Sequence, residues 1–186
     1  MGVPRPPEPV QLICGVLVHI QDVWTEVRTV LEGQWGPIVR ETPWLPFPHT
    51  DYYAEQMGTP LWRKWIAFAY WMDPAHLADI KLATNRWETF FQKKWTTEHR
   101  VVNLDPGWLH LHQVVLASTK PAAHRIYLGR GIYAEIEYIY QRGAFQPLPW
   151  TYPDYRTDEA RRFFQEVRTY YRNHRRRWMD RAQRTN

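Results

Sequence analysis

Gln11 to Ile20 is a short apolar run rich in Val, Ile and Leu. Its length and β-branching predict a buried strand. Asp22 then offers a helix N-cap, with Val23, Val27, Val30 and Leu31 at helical spacing and Gly33 as a stop. Ile38 to Thr42 reads as a second strand. Residues 43–60 carry Pro43, Pro46, Pro48 and Pro60 and read as a long loop. Leu61 to Trp71 predicts a third strand, dense in Trp, Ile, Phe and Tyr. Asp73-Pro74 marks a helix start, a capping carboxylate followed by proline at the first helical position. Leu77, Ile80, Thr84, Trp87 and Phe91 keep one face of that helix at helical spacing. Arg100 to Leu104 predicts a fourth strand, stopped by Asp105-Pro106-Gly107.

The resulting order, βαββαβ, is that of a ferredoxin-like core, two helices on one face of a four-stranded antiparallel sheet. Leu109 to Ser118 fits either a helix or a strand. Ile126 to Leu128 and Ile132 to Tyr140 predict an added hairpin around Gly129-Arg130-Gly131. Residues 143–156 form a Pro-rich aromatic loop. Thr157 caps a final long helix whose stripe runs Ala160, Phe163, Phe164, Val167, Tyr170, Tyr171, His174 and Trp178. The expected class is therefore α+β. Residues 1–9 are a loose proline-rich lead, residues 10–171 one domain, and residues 172–186 an Arg-rich helix end or tail.

Composition narrows the function classes. The chain has 186 residues, 44% hydrophobic and 23% charged, which favours a packed core over disorder. No apolar run approaches the roughly 18 residues of a membrane helix. Residues 1–9 lack the pattern of a signal peptide. Cys14 is the single cysteine, which excludes an internal disulfide and a multi-cysteine zinc site. A bacterial-type cytoplasm is the expected compartment. The net charge of +5 is uneven: from Arg156 onward ten Arg face Asp158, Glu159, Glu166 and Asp180, a local net of +6. Such a segment suits an anionic partner such as nucleic acid, or is a solvated helix end whose Arg side chains complement the helix dipole.

Several polar groups carry candidate chemistry. Lys81, Asn85 and Glu88 share one side of the second long helix, with Thr84 adjoining. They can grip a phosphate and hold an acid or base, or form an exposed face with an ordinary ion pair. Asn103 and Asp105 alternate onto one face at a strand end. There Asp105 can ligate Mg²⁺ or accept a proton, or it can bond its own turn. Ser118-Thr119-Lys120 and His124-Arg125 gather hydroxyls, cations and an imidazole, groups that suit an anionic ligand or a surface loop. Glu135 lies in an apolar strand on the side of Tyr133 and Glu137, a candidate base if that side covers a cavity. Trp150 to Arg156 and Thr50-Asp51-Tyr52-Tyr53 offer rings for stacking, and Asp154 an acceptor. The chain contains no G-x-x-x-x-G-K-[ST], G-x-G-x-x-G or G-x-S-x-G motif, and no histidine pair of zinc type.

These segments also fit a known pattern. Thr50-Asp51-Tyr52-Tyr53, Met57-Gly58, Ile80 to Asn85, Val102 to Gly107, Val115 to Lys120, His124 to Leu128, Gly131 to Glu135 and Trp150 to Tyr155 resemble a bacterial family, domain of unknown function 4416. The resemblance spans nearly all of the chain from Val10 to Tyr171. It implies no activity, but it implies that the polar segments form one recurring ligand site. Glu137 departs from the family pattern, where an uncharged residue stands. The arm after Tyr171 lies outside it.

The leading expectation is binding or turnover of a phosphorylated small molecule, possibly a nucleotide. Lys81, Lys120 and Arg125 bind the anion, while Thr84, Asn85, Glu88, Asn103, Tyr152 and Asp154 shape its site. Asp105 and Glu135 serve as base or Mg²⁺ ligands and His124 as acid or base. One alternative is an RNA- or DNA-binding module. It uses an aromatic sheet face and Arg172, Arg175, Arg176, Arg177, Arg181 and Arg184. Another is a non-catalytic protein-interaction domain. The sequence sets neither the reaction, the metal nor the oligomeric state.

Overall fold

The computed structural model describes residues 2–48, 53–95 and 99–184. Among the described residues, nine antiparallel strands and four α-helices make an α+β fold. The strands are β1 (Val10–Val18), β2 (Ile38–Glu41), β3 (Leu45–Pro46), β4 (Trp62–Met72), β5 (Val102–Leu109), β6 (Gln113–Ser118), β7 (Ile126–Gly129), β8 (Ile132–Gln141) and β9 (Ala144–Pro147). The helices are α1 (Trp24–Trp35), α2 (Ala54–Met57), α3 (Leu77–Lys94) and α4 (Asp158–Arg184). The sheet order is β2-β4-β1-β5-β6-β8-β7, with β3 paired to β4 and β9 to β8. It is thus larger than four strands and a hairpin. The ambiguous Leu109 to Ser118 segment supplies β6, and the two expected loops contain β3 and β9.

Both faces of the sheet are covered. Alternation along β1 sends Leu12, Cys14, Val16 and Val18 to α1 and α3, where they meet Val27, Leu31, Ile80 and Phe91. Ile13 faces the other way. There Trp65, Ala67, Leu116 and Tyr138 lie under the α4 stripe of Ala160, Phe163, Phe164, Val167 and Tyr171. Fully burying each such ring or aliphatic chain contributes about 1.5–3 kcal/mol. The aromatics Trp65 and Tyr138 of that face are therefore core residues beneath α4, whereas Tyr70 of β4 and Tyr127 of β7 stay exposed.

Local signals explain most element ends. Asp73 Oδ1 accepts from Ala75 N–H at 2.8 Å, ahead of α3. Thr157 Oγ1 accepts from Ala160 N–H at 3.3 Å at the start of α4. Gly129, Arg130 and Gly131 all take positive φ in the β7–β8 turn. Two expectations are corrected. Asp22 sits inside a 3-10 turn, Gln21–Val23, and makes no cap bond; α1 runs past Gly33 and ends at Gly36, whose φ is 78°. The lead is tied down at its end: Glu8 pairs with His110 and Arg175, and Pro9 O accepts from Tyr171 Oη at 2.7 Å. No helix among the described residues is long and apolar enough to cross a membrane.

One irregularity opens the site. β5 does not stop at Asp105-Pro106-Gly107 but continues to Leu109, along β1 throughout. Its ladder to β6, however, covers only Gly107 to Leu109 against Leu116 to Val114. At Gly107 the strands are so close that a Cβ would lie 2.2 Å from Val115 O, so only glycine fits. Before Gly107 the strands part. Leu104, which would have paired with β6, instead gives its N–H to Glu88 Oε1 (2.6 Å) and its carbonyl to Lys81 Nζ (2.8 Å). Pro106 has its nitrogen on that same open side by strand alternation, so no ladder bond is lost. Polar side chains of α3 therefore plug a gap in the sheet and reach its α4 side.

Candidate functional site

The floor of the site is built across β4, β1 and β5. Arg63 shares the α4 side of β4 with Trp65 and Ala67. Its Nε lies 2.9 Å from Asp154 Oδ2 and its Nη1 3.3 Å from Asp105 Oδ2. Gly15 of β1 lies beneath. A Cβ there would come within 2.7 Å of Tyr155 Oη and 2.9 Å of Arg63 Nη1, so the strand leaves that space to the two side chains. Asp105 also accepts from Asn103 Nδ2 at 2.7 Å, and Lys81 Nζ stands 3.9 Å from its Oδ1. Arg100 bridges Glu88 Oε2, at 2.7 Å, and Asn103 Oδ1.

The far wall rests on β8. Glu135 is 2% exposed, with Arg125 Nη2 3.0 Å from its Oε1 and His124 Nε2 2.9 Å from its Oε2. Arg125 also donates to Tyr152 Oη (2.7 Å) and to Lys120 O (2.8 Å). The His124 ring stacks on Trp150. Residues 148–156 thus lean on β8 and present Tyr152, Asp154 and Tyr155 inward.

Between floor and wall lies a cavity of about 680 Å³, a size that suits a small-molecule ligand. Of the residues singled out in the sequence, Lys81, Asn85, Glu88, Asn103, Asp105, Lys120, Glu135, Tyr152 and Asp154 line it together. Lys81 and Glu88 are 6% and 8% exposed, so they do not form a solvated face. Asp105 lies within a strand and forms no turn. Three candidates do not line the cavity. His124 and Arg125 stand behind Glu135, and Thr84 is buried in α3, where its hydroxyl donates to Lys81 O at 2.8 Å. Thr50, Asp51 and Tyr52 lie outside the described residues, whereas Tyr53 lines the cavity beside Phe47.

Sequence reasoning missed Arg63 and Arg100, and offered Tyr155 only as one ring of the 150–156 segment. A signal existed for Arg63: a charged residue inside an aromatic strand destined for burial calls for a buried partner. On α4, Arg175 pairs with Glu8 and Arg172 is exposed. The side chains of Arg176, Arg177, Trp178, Arg181 and Arg184 lie outside what the structure describes.

The lining balances Arg63, Lys81, Arg100 and Lys120 against Glu88, Asp105, Glu135 and Asp154. Burial works to raise the Asp105 carboxyl, but Lys81 and Arg63, aided by Asn103, outweigh it and hold Asp105 below the usual carboxylate range. Burial dominates at Glu88 and raises its pKa despite Lys81 and Arg100. It also raises the Tyr152 and Tyr155 phenols. Tyr155 Oη has no hydrogen-bond partner among the described residues, an uncommon state for a buried hydroxyl. Among the described residues no group of three His, Cys, Asp or Glu side chains is placed to hold a metal ion.

A family model described as Domain of unknown function (DUF4416) matches residues 8–171, most of the chain. No curated protein and no solved structure matches.

Proposed function

The chain belongs to the DUF4416 family, whose description names no activity, and from the cavity's chemistry we propose that it binds a phosphorylated small molecule, with a nucleotide as the best-fitting class. The observation that carries this reading is the meeting of nine candidate polar residues from five separate chain segments in one cavity. Lys81, Lys120 and Asn85 meet the phosphate from the α3 and β6 sides. Phe47, Tyr53 and Tyr152 offer ring surface to a base. Asp105, kept ionised, is the group suited to act as base or to meet a Mg²⁺ ion carried by the phosphate. Glu135 positions Arg125 and His124 behind the wall. Because the four cations already face four carboxylates, the cavity favours a monophosphate over a more highly charged ligand.

Thermal shift against nucleoside mono-, di- and triphosphates, sugar phosphates and inorganic phosphate, with and without Mg²⁺, tests this. A bound ligand at 100 times its Kd adds about 2.7 kcal/mol of stability and raises Tm. Monophosphates are expected to give the largest rise, and Asn85→Ala to abolish it. A flat response across the panel overturns the reading.

As to architecture, we read β1-α1-β2-β4-α3-β5 as a ferredoxin-like core carrying extra strands. Its support is the order β2-β4-β1-β5, antiparallel throughout, with α1 and α3 on one face. A second functional reading, self-association, rests on β7. This terminal strand exposes Ile126, Tyr127 and Leu128 in succession, with no charge among them. Light scattering of the wild type and Tyr127→Lys decides it: a dimer lost on substitution supports it, and a wild-type monomer ends it.

A further inference from the structure

The wall of residues 148–156 is pinned to an irregularity in β8. Pairing with β6 runs Val115 to Ile136 and then Val114 to Tyr138, so Glu137 is an extra residue in its strand. The bulge shifts the alternation. Tyr138 therefore joins the α4 side instead of following Ile136 to the α1 and α3 side. It also frees two carbonyls for the wall: Trp150 Nε1 donates to Ile136 O (2.8 Å) and Thr151 Oγ1 to Glu137 O (2.5 Å). The third contact is made by the Glu137 side chain, whose Oε2 accepts from Tyr152 N–H at 3.2 Å.

That carboxyl sits where a negative charge is poorly tolerated. Glu137 is 0% exposed, and its Oε1 has no hydrogen-bond partner among the described residues. Among the described residues no basic side chain forms an ion pair with it. Arg125, a cation that acts on it, is bound to Glu135. The other groups facing it are Glu135 and Tyr138 on its own strand and Tyr152, Asp154 and Tyr155 from the wall; the Glu135 and Asp154 carboxylates repel a second negative charge, and the raised phenols stay neutral.

We propose that Glu137 is a positioning residue for the candidate site, holding the 148–156 wall over the cavity while it carries its proton and loosening it when it ionises. Burial first, and the Glu135 charge second, push its pKa from the ordinary 4.5 to about 8. An acid whose pKa is raised in the closed state favours closure fully below its open-state value. Closure then weakens roughly tenfold per pH unit and levels off above the closed-state value. The window is therefore about pH 4.5 to 8. Neutral pH lies inside it, so a local change in acidity alters how firmly the cavity is walled.

Hydrogen exchange tests this without any ligand, so its outcome is separate from that of the nucleotide panel. The readout is the protection of residues 149–155 from pH 5 to 9, corrected for intrinsic exchange, with β1 as an internal control. In the wild type, protection is expected to fall by at least a hundredfold up to about pH 8 and then level off. Glu137→Gln, an uncharged isostere, is expected to stay flat. A flat wild-type profile overturns the proposal even if the variant fails to fold. The same decline in Glu137→Gln also overturns it and assigns the titration to another group.

Discussion

Asp105 and Glu137 are two carboxyl groups on the same side of one sheet, and the protein treats them oppositely. Asp105 looks into the gap between β5 and β6, where Arg63, Lys81 and Asn103 converge, and it stays ionised more readily than a free aspartate. Glu137 projects from a bulge among Glu135, Asp154 and two phenols, and keeps its proton to about pH 8. Burial opposes charge at both positions. What differs is the company that neighbouring elements bring. One group is a fixed anion suited to ligand chemistry, and the other is a neutral strut that titrates near physiological pH.

The strongest way to break this contrast is Arg63→Ala. It leaves Asp105 and Asp154 without their shared guanidinium, and denaturant unfolding should report a loss of about 3–5 kcal/mol. Asp105→Asn removes the fixed anion, leaves Arg63 and Lys81 partly uncompensated and costs about 2–3 kcal/mol at pH 7. Its pH dependence has a definite sign. The stability that Asp105 contributes is present above the unfolded-state value near pH 4 and is lost as pH falls through its lowered folded value. The cost of the variant should therefore shrink in acid. Gly107→Ala drives a methyl against Val115 O and should cost about 2 kcal/mol, read as a lower Tm. Glu137→Gln should do the reverse and stabilise the protein by about 1–2 kcal/mol at neutral pH. That gain grows from pH 4.5 to 8 and vanishes below, since the raised acid is costly only where the unfolded chain would ionise. Asn85→Ala should shift stability by less than about 0.5 kcal/mol, because its half-buried side chain faces the cavity. Only its ligand response should change.

The elements were legible where one local cause sufficed. Asp73-Pro74 and Thr157 announced helix starts because a capping oxygen and a preset φ act within a few residues. The glycines around Arg130 announced the hairpin for the same reason. Asp105-Pro106-Gly107 misled, since its turn chemistry is overridden by eight residues of pairing with β1. The site was legible as a list of polar residues in unexpected places. Its geometry was not. Nothing near Lys81 in the chain says that β5 and β6 part and let it reach Leu104 and Asp105. Nor does periodicity explain why Arg63 stands in an aromatic strand until Asp105 and Asp154 arrive from positions 42 and 91 residues later.

By itself the sequence determined most of the segments that become long strands and helices, where the charge lies and which polar residues are costly to bury. Those properties follow from local sterics, side-chain period and transfer energies. The tertiary structure alone decided that the carboxylates and cations meet, that the sheet opens at Gly107 and that a bulge turns Glu137 toward the wall. Pairing energies in a dry interior depend on distances between residues remote in the chain, and folding sets those distances.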